Sequence, residues 1–432
     1  MKSKRDEEIN KSILEYLLKK NFQNSALAFM SETNLKTEDA TKGNKLDKKW
    51  GTIISLQKKI LDLETNLVQL KEDLENGMNP NKNLSKKNLD SIGLPKSISK
   101  VTLRGHRKEI TCLAFHPFYK KLASSSEDAS IIIWECDDFS QDKSVKAHSN
   151  TINHITFDNN GKFLGSCSSD LSIKIWNFEN MNLFKVLNGH DHTVSFIEFS
   201  PDSNYIFSAS RDKSIKYWEI STGNCKKTIY GHSEWVRCVS VNNKGNLLAS
   251  SSDDESIIIW QINNNFNQLN FLTGHSNKIE IVIFLKNETS VFNIFSSDYV
   301  QSYNKNLNDD DNFKMNEKKV IKDMNDINKE YLLSGSRDKL IMLWDVIGGI
   351  CVKIFSGHDN WVRNLCEHPS GKYFVSCSDD KSVRIWDLKN GLCQKKLSDA
   401  HESFVVTVAM SSKCKILASG SNDLTIKIWD CS

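Results

Sequence analysis

One phrase recurs seven times between residues 100 and 432, and internal repetition of that kind restricts a chain to stacked or ring-like architectures. Each copy ends in a tryptophan: Trp134, Trp176, Trp218, Trp260, Trp344, Trp386 and Trp429. Six residues before each stands an aspartate: Asp128, Asp170, Asp212, Asp254, Asp338, Asp380 and Asp423. Ten residues before each stands a serine: Ser124, Ser166, Ser208, Ser250, Ser334, Ser376 and Ser419. A Gly-His or Ala-His pair opens every copy, at His106, His148, His190, His232, His275, His358 and His401. In six of the seven the histidine lies 28 residues before the tryptophan.

Inside each unit, runs such as "LASS", "IIIW", "IFSAS" and "IKIW" alternate or are β-branched, and Ser, Asp, Gly and Asn turns bound them. They read as short strands. Units of about 42 residues that begin with Gly-His and end in Trp-Asp, as at Trp344-Asp345, Trp386-Asp387 and Trp429-Asp430, resemble the WD-repeat family. That resemblance implies an all-β, seven-bladed propeller of four-stranded antiparallel blades over residues 100–432. Serine, histidine and aspartate suggest a hydrolase triad, but a triad needs one nucleophile and one oxyanion hole. Seven equivalent copies instead imply a buried polar chain from Trp through Ser and His to Asp, which serves architecture. The chain stops at Ser432, three residues past the last tryptophan, so the last blade needs an outer strand. Residues 100–103 supply one, which closes the ring and removes its edges.

Composition narrows the rest. A length of 432 residues fits two or three domains or one large repetitive one, and a net charge of +3 selects no nucleic-acid partner. The start "MKSKRDEEIN" is charged, unlike a signal peptide, and no apolar run of about 18 residues exists to span a membrane. The eleven cysteines are scattered without a CxxC pair, so buried, reduced thiols are expected, with no metal and no cofactor. The fifth unit departs from the spacing. His275 and Trp344 are 69 residues apart, an excess of 41, and the surplus within about 286–330 includes "NKNLNDDDNFKMNEKK". Its polarity and charge predict a disordered inserted loop.

The first hundred residues differ in composition. Ile9, Ile13, Tyr16 and Leu17 share one helical face, and a break at Asn21-Phe22 leads to a second short helix with Ala26, Phe29 and Met30. Two such helices bury too little alone, whereas two copies paired make a four-helix bundle. Residues 1–45 therefore read as a dimerisation module, and "EINKSILEYLLKKNFQNSALAFMSET" resembles the LisH motif, with Asn21 at a turn where many have glycine. Ile53, Leu56, Ile60, Leu63, Leu67, Leu70 and Leu74 form an a/d seam, so 46–76 predicts a coiled coil, or else one amphipathic helix packed on the propeller. Residues 77–99 are rich in Gly, Pro, Asn, Ser and Lys and read as a flexible linker of roughly 25–30 Å.

LisH, coiled coil, linker and seven repeats in this order, with "LDKKW", "SLQKK", "SASRDKSIKYW", "GHSEWVR" and "GHDNWVR", resemble the lissencephaly-protein family. The resemblance implies a homodimeric, non-enzymatic regulator of the cytoplasmic dynein heavy-chain motor domain, with NudE-type coiled-coil proteins as further partners. It places the chain in the cytoplasm, on microtubules and at the centrosome or spindle pole, in transport and nuclear or spindle positioning. The alternative is a regulatory subunit or scaffold of another complex, with acetylhydrolase catalytic subunits or a ubiquitin ligase.

In a WD propeller the histidine loop and the aspartate turn share the upper rim, so the variable residues beside them write its chemistry. Before the aspartate the series runs Glu127, Ser169, Arg211, Asp253, Arg337, Asp379, Asn422, and after it Ala129, Leu171, Lys213, Glu255, Lys339, Lys381, Leu424. Three past the histidine stand Glu109, Thr151, Thr193, Trp235, Lys278, Trp361 and Phe404, and five past it Arg237 and Arg363. Cations and aromatics thus gather on blades three to six, with Phe404 on the seventh, in the combination that marks protein-binding hot spots. Asp253, Glu255 and Asp379 interrupt the charge, which argues against a single-strand nucleic-acid face. By resemblance, Arg211, Arg237, Arg337, Trp361 and Lys381 match positions through which the family contacts the dynein motor ring, and Trp235 and Phe404 complete the candidate set.

The apolar seam and the LisH face make a prediction about assembly. Light scattering should find the full chain a homodimer and residues 95–432 a monomer. A monomeric full chain at micromolar concentration contradicts that reading.

Overall fold

The structure, a computed structural model, describes residues 93–286, 330–411 and 415–431. The LisH motif, the coiled coil, most of the linker and the inserted loop of the fifth unit lie outside the described residues. The described strands form seven four-stranded antiparallel sheets. In blade four, for example, Val236–Val241, Leu247–Ser252, Ser256–Gln261 and Asn267–Thr273 run in order from the inner strand to the outer. The second and third strands are the most buried, which is why Ser250, Ile257 and Ile259 have no exposure. Packing between blades is apolar, and outer strands add polar latches. Lys143 Nζ donates to Glu179 O at 2.7 Å, Lys227 Nζ to Asn265 O at 2.5 Å and Lys353 Nζ to Lys389 O at 2.5 Å, each on the next blade.

The ring closes between the ends of the repeat region. The strand Val101–Arg104 pairs antiparallel with Thr425–Asp430, with Val101 opposite Ile428 and Arg104 opposite Thr425, and so completes blade seven. The strand expected at 100–103 exists one residue later. Residues 93–99, assigned to the linker by composition, are pinned to the ring. Pro95 is buried, Lys96 N donates to Asp430 O at 2.8 Å, and His368 Nε2 donates to Gly93 O at 2.9 Å. His116 grips Gly161 of the following blade at the same distance, so Gly93 takes the part of a neighbouring blade's turn.

Every blade carries the same buried chain. The indole Nε1–H donates to Ser Oγ at 2.7–3.0 Å in all seven. Ser Oγ meets His Nε2 at 2.7–2.8 Å. His Nδ1 meets the Asp carboxylate at 2.7–3.2 Å. A carboxylate only accepts, so Nδ1 carries the imidazole proton, Nε2 accepts from the serine, and the serine oxygen accepts from the indole. Every member is satisfied. The tight histidine loop follows from the same packing: a Cβ on Gly231 would stand 2.5 Å from the Trp260 ring.

The thiol expectation needs a correction. Of the ten described cysteines, Cys225, Cys351 and Cys393 are exposed, because each stands at or beside the start of an outer strand.

Two consequences are measurable. Asp338 accepts from His275 Nδ1 at 2.7 Å, Ser276 N at 3.1 Å and Leu340 N at 2.9 Å, so Asp338→Ala orphans three donors. It should destabilise the ring by roughly 1–3 kcal/mol, the range for a buried group left unpaired. A variant melting like the wild type contradicts the architectural role. The second consequence concerns pH. Burial pushes His106, His148 and His358 below their ordinary 6.5. For the seven aspartates burial works upward, but hydroxyl, imidazole and backbone donors outweigh it and the net shift is downward. In both groups the unfolded chain binds protons that the folded one refuses, so stability is full above the unfolded pKa and falls with pH. Glu198, pushed up to about 7 by burial, and Glu109, raised by burial and by Glu127, work the other way. The melting temperature should therefore fall below pH ~6.5 and more steeply below pH ~4. A value constant from pH 7 to 4 contradicts the network.

Candidate functional site

The upper rim is assembled by three devices that recur in each blade. The first is the turn between the second and third strands. The residue after the repeat aspartate is left-handed in all seven blades although none is glycine: Ala129, Leu171, Lys213, Glu255, Lys339, Lys381 and Leu424 have φ between 65° and 73°. Such backbone is strained for a side chain and persists when its surroundings fix it. The aspartate does so by accepting from the amide two residues on, as Asp212 Oδ1 does from Ser214 N at 2.9 Å.

The second device is a backbone bond. The residue before the aspartate donates its N–H to the carbonyl three past the histidine, at 2.9–3.1 Å, as in Asp253 N to Trp235 O and Arg337 N to Lys278 O. The third is a β-bulge. At the start of each inner strand the register slips by one, which leaves one extra residue five past the histidine: Thr111, Asn153, Ser195, Arg237, Glu280, Arg363 and Val406. A bulge re-aims the extra side chain, in blades two and four to six toward the residue before the aspartate.

In blades four to six this puts opposite charges together. Arg237 makes a bidentate pair with Asp253 at 2.6 and 3.2 Å, and Arg363 one with Asp379 at 2.8 and 2.9 Å. In blade five the sense is reversed: Glu280 holds Arg337 through its Nε. Blade two has a neutral version, Asn153 Nδ2 to Ser169 Oγ at 3.3 Å. In blade three the positions hold Ser195 and Arg211, and among the described residues no hydrogen-bond partner meets the buried Ser195 Oγ or Arg211 Nε.

Two tryptophans cap these pairs. The Trp235 ring has the Arg211 guanidinium 4.8 Å from its centre, with Arg237 at 5.6 Å and Lys278 Nζ at 5.8 Å. Lys278 also reaches Asp253 at 2.7 Å. Trp361 has Arg337 at 4.1 Å and Arg363 at 4.9 Å. Each such contact contributes about 0.5–2 kcal/mol depending on desolvation. For Arg237 and Arg363 burial works against the charge, but the carboxylates outweigh it and the pKa rises. Arg211 shifts down instead, through burial and then the repulsion of Arg237.

The structure therefore unites Arg211, Trp235, Arg237, Arg337 and Trp361 in one cluster spanning blades three to six. Lys381 and Phe404 are exposed on the same rim, on blades six and seven. The arginines differ from the freely exposed hot spots expected: Arg237 is 14% exposed and Arg337 17%, because the bulges draw them against carboxylates. Sequence reading missed Glu280, although it stands at the same offset as Arg237 and Arg363. Comparing that offset with the residue before the aspartate gives Arg-Asp, Glu-Arg and Arg-Asp in consecutive units, a signal available without coordinates. Among the described residues no group of three or more His, Cys, Asp or Glu is placed to hold a metal ion. No described helix is long and apolar enough to cross a membrane.

Comparison with known proteins bears on this arrangement. The family model "WD domain, G-beta repeat" matches residues 98–135, 139–177, 181–219, 223–261, 319–345, 349–387 and 391–430. "PAC1 LisH domain" matches residues 3–38. Among curated relatives, "Nuclear distribution protein PAC1" of Coccidioides posadasii is 37% identical over 33% of this chain and 31% of its own length. "Nuclear distribution protein nudF 1" of Talaromyces marneffei is 40% identical over 33% and 32%. "Lissencephaly-1 homolog" of Heterostelium pallidum is 38% identical over 31% of each. The matched stretch thus spans about a third of the length of these relatives.

Proposed function

The chain belongs to the WD-repeat family, in its lissencephaly-1/PAC1 branch, and from that premise we propose that it is a non-enzymatic, dimeric regulator that binds the motor domain of cytoplasmic dynein. The relatives' names, with their nuclear distribution and lissencephaly terms, support a role in positioning nuclei along the microtubule cytoskeleton. The observation that carries the reading is the half-rim itself. Arginines and tryptophans are fixed together on blades three to six, whereas the corresponding positions of blades one and two hold Glu109, Glu127, Thr151 and Ser169. A surface of that kind takes an acidic partner and steers its approach.

The LisH segment doubles the site. Two rims on one dimer raise avidity for a partner that presents two sites, without a new contact. NudE-type coiled-coil proteins fit the same pathway as further partners. The serine, histidine and aspartate of the repeat have no part in this function, since all seven sets are engaged with one another.

The test is titration of the purified dynein motor domain at two salt concentrations. Arg337→Ala combined with Trp361→Ala should weaken binding at least about a hundredfold, ~3 kcal/mol, as loss of a central aromatic and its cation does. The pair Glu127→Ala and Thr151→Ala should bind like wild type, and wild-type affinity should fall with salt. Monomeric propellers are titrated alongside, so that avidity does not mask a loss. Equal binding by the rim variant, with the blade one and two variant impaired, places the site elsewhere. Recovery of a lipid esterase or ubiquitin ligase subunits from native lysate, without dynein heavy chain, favours the scaffold alternative.

A further inference from the structure

The cluster around Trp235 and Trp361 contains five cations, Arg211, Arg237, Lys278, Arg337 and Arg363, against three carboxylates, Asp253, Glu280 and Asp379, a surplus of two positive charges. A surface that only attracts an acidic partner would do so better without the carboxylates. Asp253 and Asp379 each pair with an arginine of their own blade, and Asp253 also takes Lys278 of blade five. Glu280 does something different. Its Oε1 takes Arg337 Nε, while its Oε2 stands 3.8 Å from Arg237 Nη1 and 3.9 Å from Arg363 Nη1. One carboxylate on the bulge of blade five thus faces guanidiniums from blades four, five and six, and it is 10% exposed.

We propose that Glu280 is the positioning residue of the binding rim: it holds three guanidiniums at fixed spacing, Arg337 among them on the face of Trp361, before the partner arrives. The inference rests on the rim being the binding site. An arginine side chain is rotamer-rich, and fixing it in advance lowers the ordering cost of association. The geometry supports that role over simple charge tuning. Arg337 lies 4.1 Å from the centre of the Trp361 ring, so the contact with Glu280 and the stack hold the guanidinium at two points. Without Glu280, Arg237 keeps Asp253 and Arg363 keeps Asp379, whereas Arg337 loses its carboxylate among the described residues.

Positioning and charge tuning make opposite predictions for Glu280→Gln, which keeps the shape and adds one positive charge to the rim. Charge tuning predicts tighter binding of the motor domain with an unchanged dissociation rate. Positioning predicts association about two- to threefold faster at low salt but affinity about tenfold weaker at physiological salt, through faster dissociation, within the range of coupled neighbours. Arg337→Lys retains the charge and forfeits both the Nε contact and the planar guanidinium over the Trp361 ring. It should weaken binding similarly, and the double variant should stand within about twofold of the weaker single one.

A readout without partner accompanies the titration. The Arg337 Nε–H signal in nitrogen-15 NMR should exchange slowly in the full chain and fast in Glu280→Gln. Tighter binding by Glu280→Gln, or single effects that multiply in the double variant, overturns the proposal. Should Glu280→Gln fold poorly, Arg337→Lys decides alone, and wild-type binding by it overturns the proposal. Trp361→Ala separates the two claims. If it weakens binding while Glu280→Gln does not, positioning fails and the rim reading stands. If neither changes binding, the rim reading fails and this one falls with it.

Discussion

The aspartate carboxylate at the end of each buried chain joins two pieces of backbone that are distant in sequence. One oxygen takes the histidine Nδ1 and the amide that follows it; the other takes the amide two residues on in the turn. Asp212 shows the full set: His190 Nδ1 at 2.7 Å, Asp191 N at 3.1 Å and Ser214 N at 2.9 Å. The histidine loop and the aspartate turn are thereby fixed to one another, and with them the three variable positions that form the rim. The chain is worth having only because it is complete, since a buried polar group without its partner costs about 1–3 kcal/mol. Seven equivalent networks leave a scaffold on which different side chains can be displayed without altering the fold.

Much of this was legible beforehand, and the reason is physical. A repeat that must satisfy four polar groups in an apolar sheet tolerates little change, so Ser, His, Asp and Trp recur at constant spacing and disclose the blade. Closure by an N-terminal strand was legible too, since a blade missing a strand exposes an edge. The pinning of residues 93–99 was not. Their Gly, Pro and Ser content reads as linker, and the bond from His368 to Gly93 spans 275 positions. The candidate site divides the same way. The tryptophans and arginines stood out by type, but their partial burial did not, because the bulge that turns Arg237, Glu280 and Arg363 toward the neighbouring turn is a register slip that leaves no composition signal. Glu280 did not stand out because, five past the histidine, the two arginines alone were conspicuous by type.

The structure gives that acid a different meaning. Charges taken partly out of water are expensive unless paired, and removing one member of a buried pair costs more than the pair contributes. Three carboxylates let five cations occupy a small area around two indole rings and keep a surplus of two charges. Blade three differs: Arg211 rests on the Trp235 ring, and Asp253 and Glu280 of the next blades act on its charge from a distance. The rim brings together side chains from four blades, arginines against carboxylates and indole rings, in one small area. Fold alone would not specify this, since propellers of the same architecture serve many partners.

The central claim is that the buried chain builds the ring while the positions beside it, on blades three to six, do the binding. Hydrogen–deuterium exchange on the full chain, with and without saturating dynein motor domain, tests it most directly. The account predicts new protection in the turns around residues 211–213, 253–255, 337–339 and 379–381 and in the loops around 233–237, 276–280 and 359–363. Amides of the second and third strands should be slow in both states, and blades one and two should be unchanged. Protection confined to the turns of blades one and two, or to the opposite face of the ring, contradicts it.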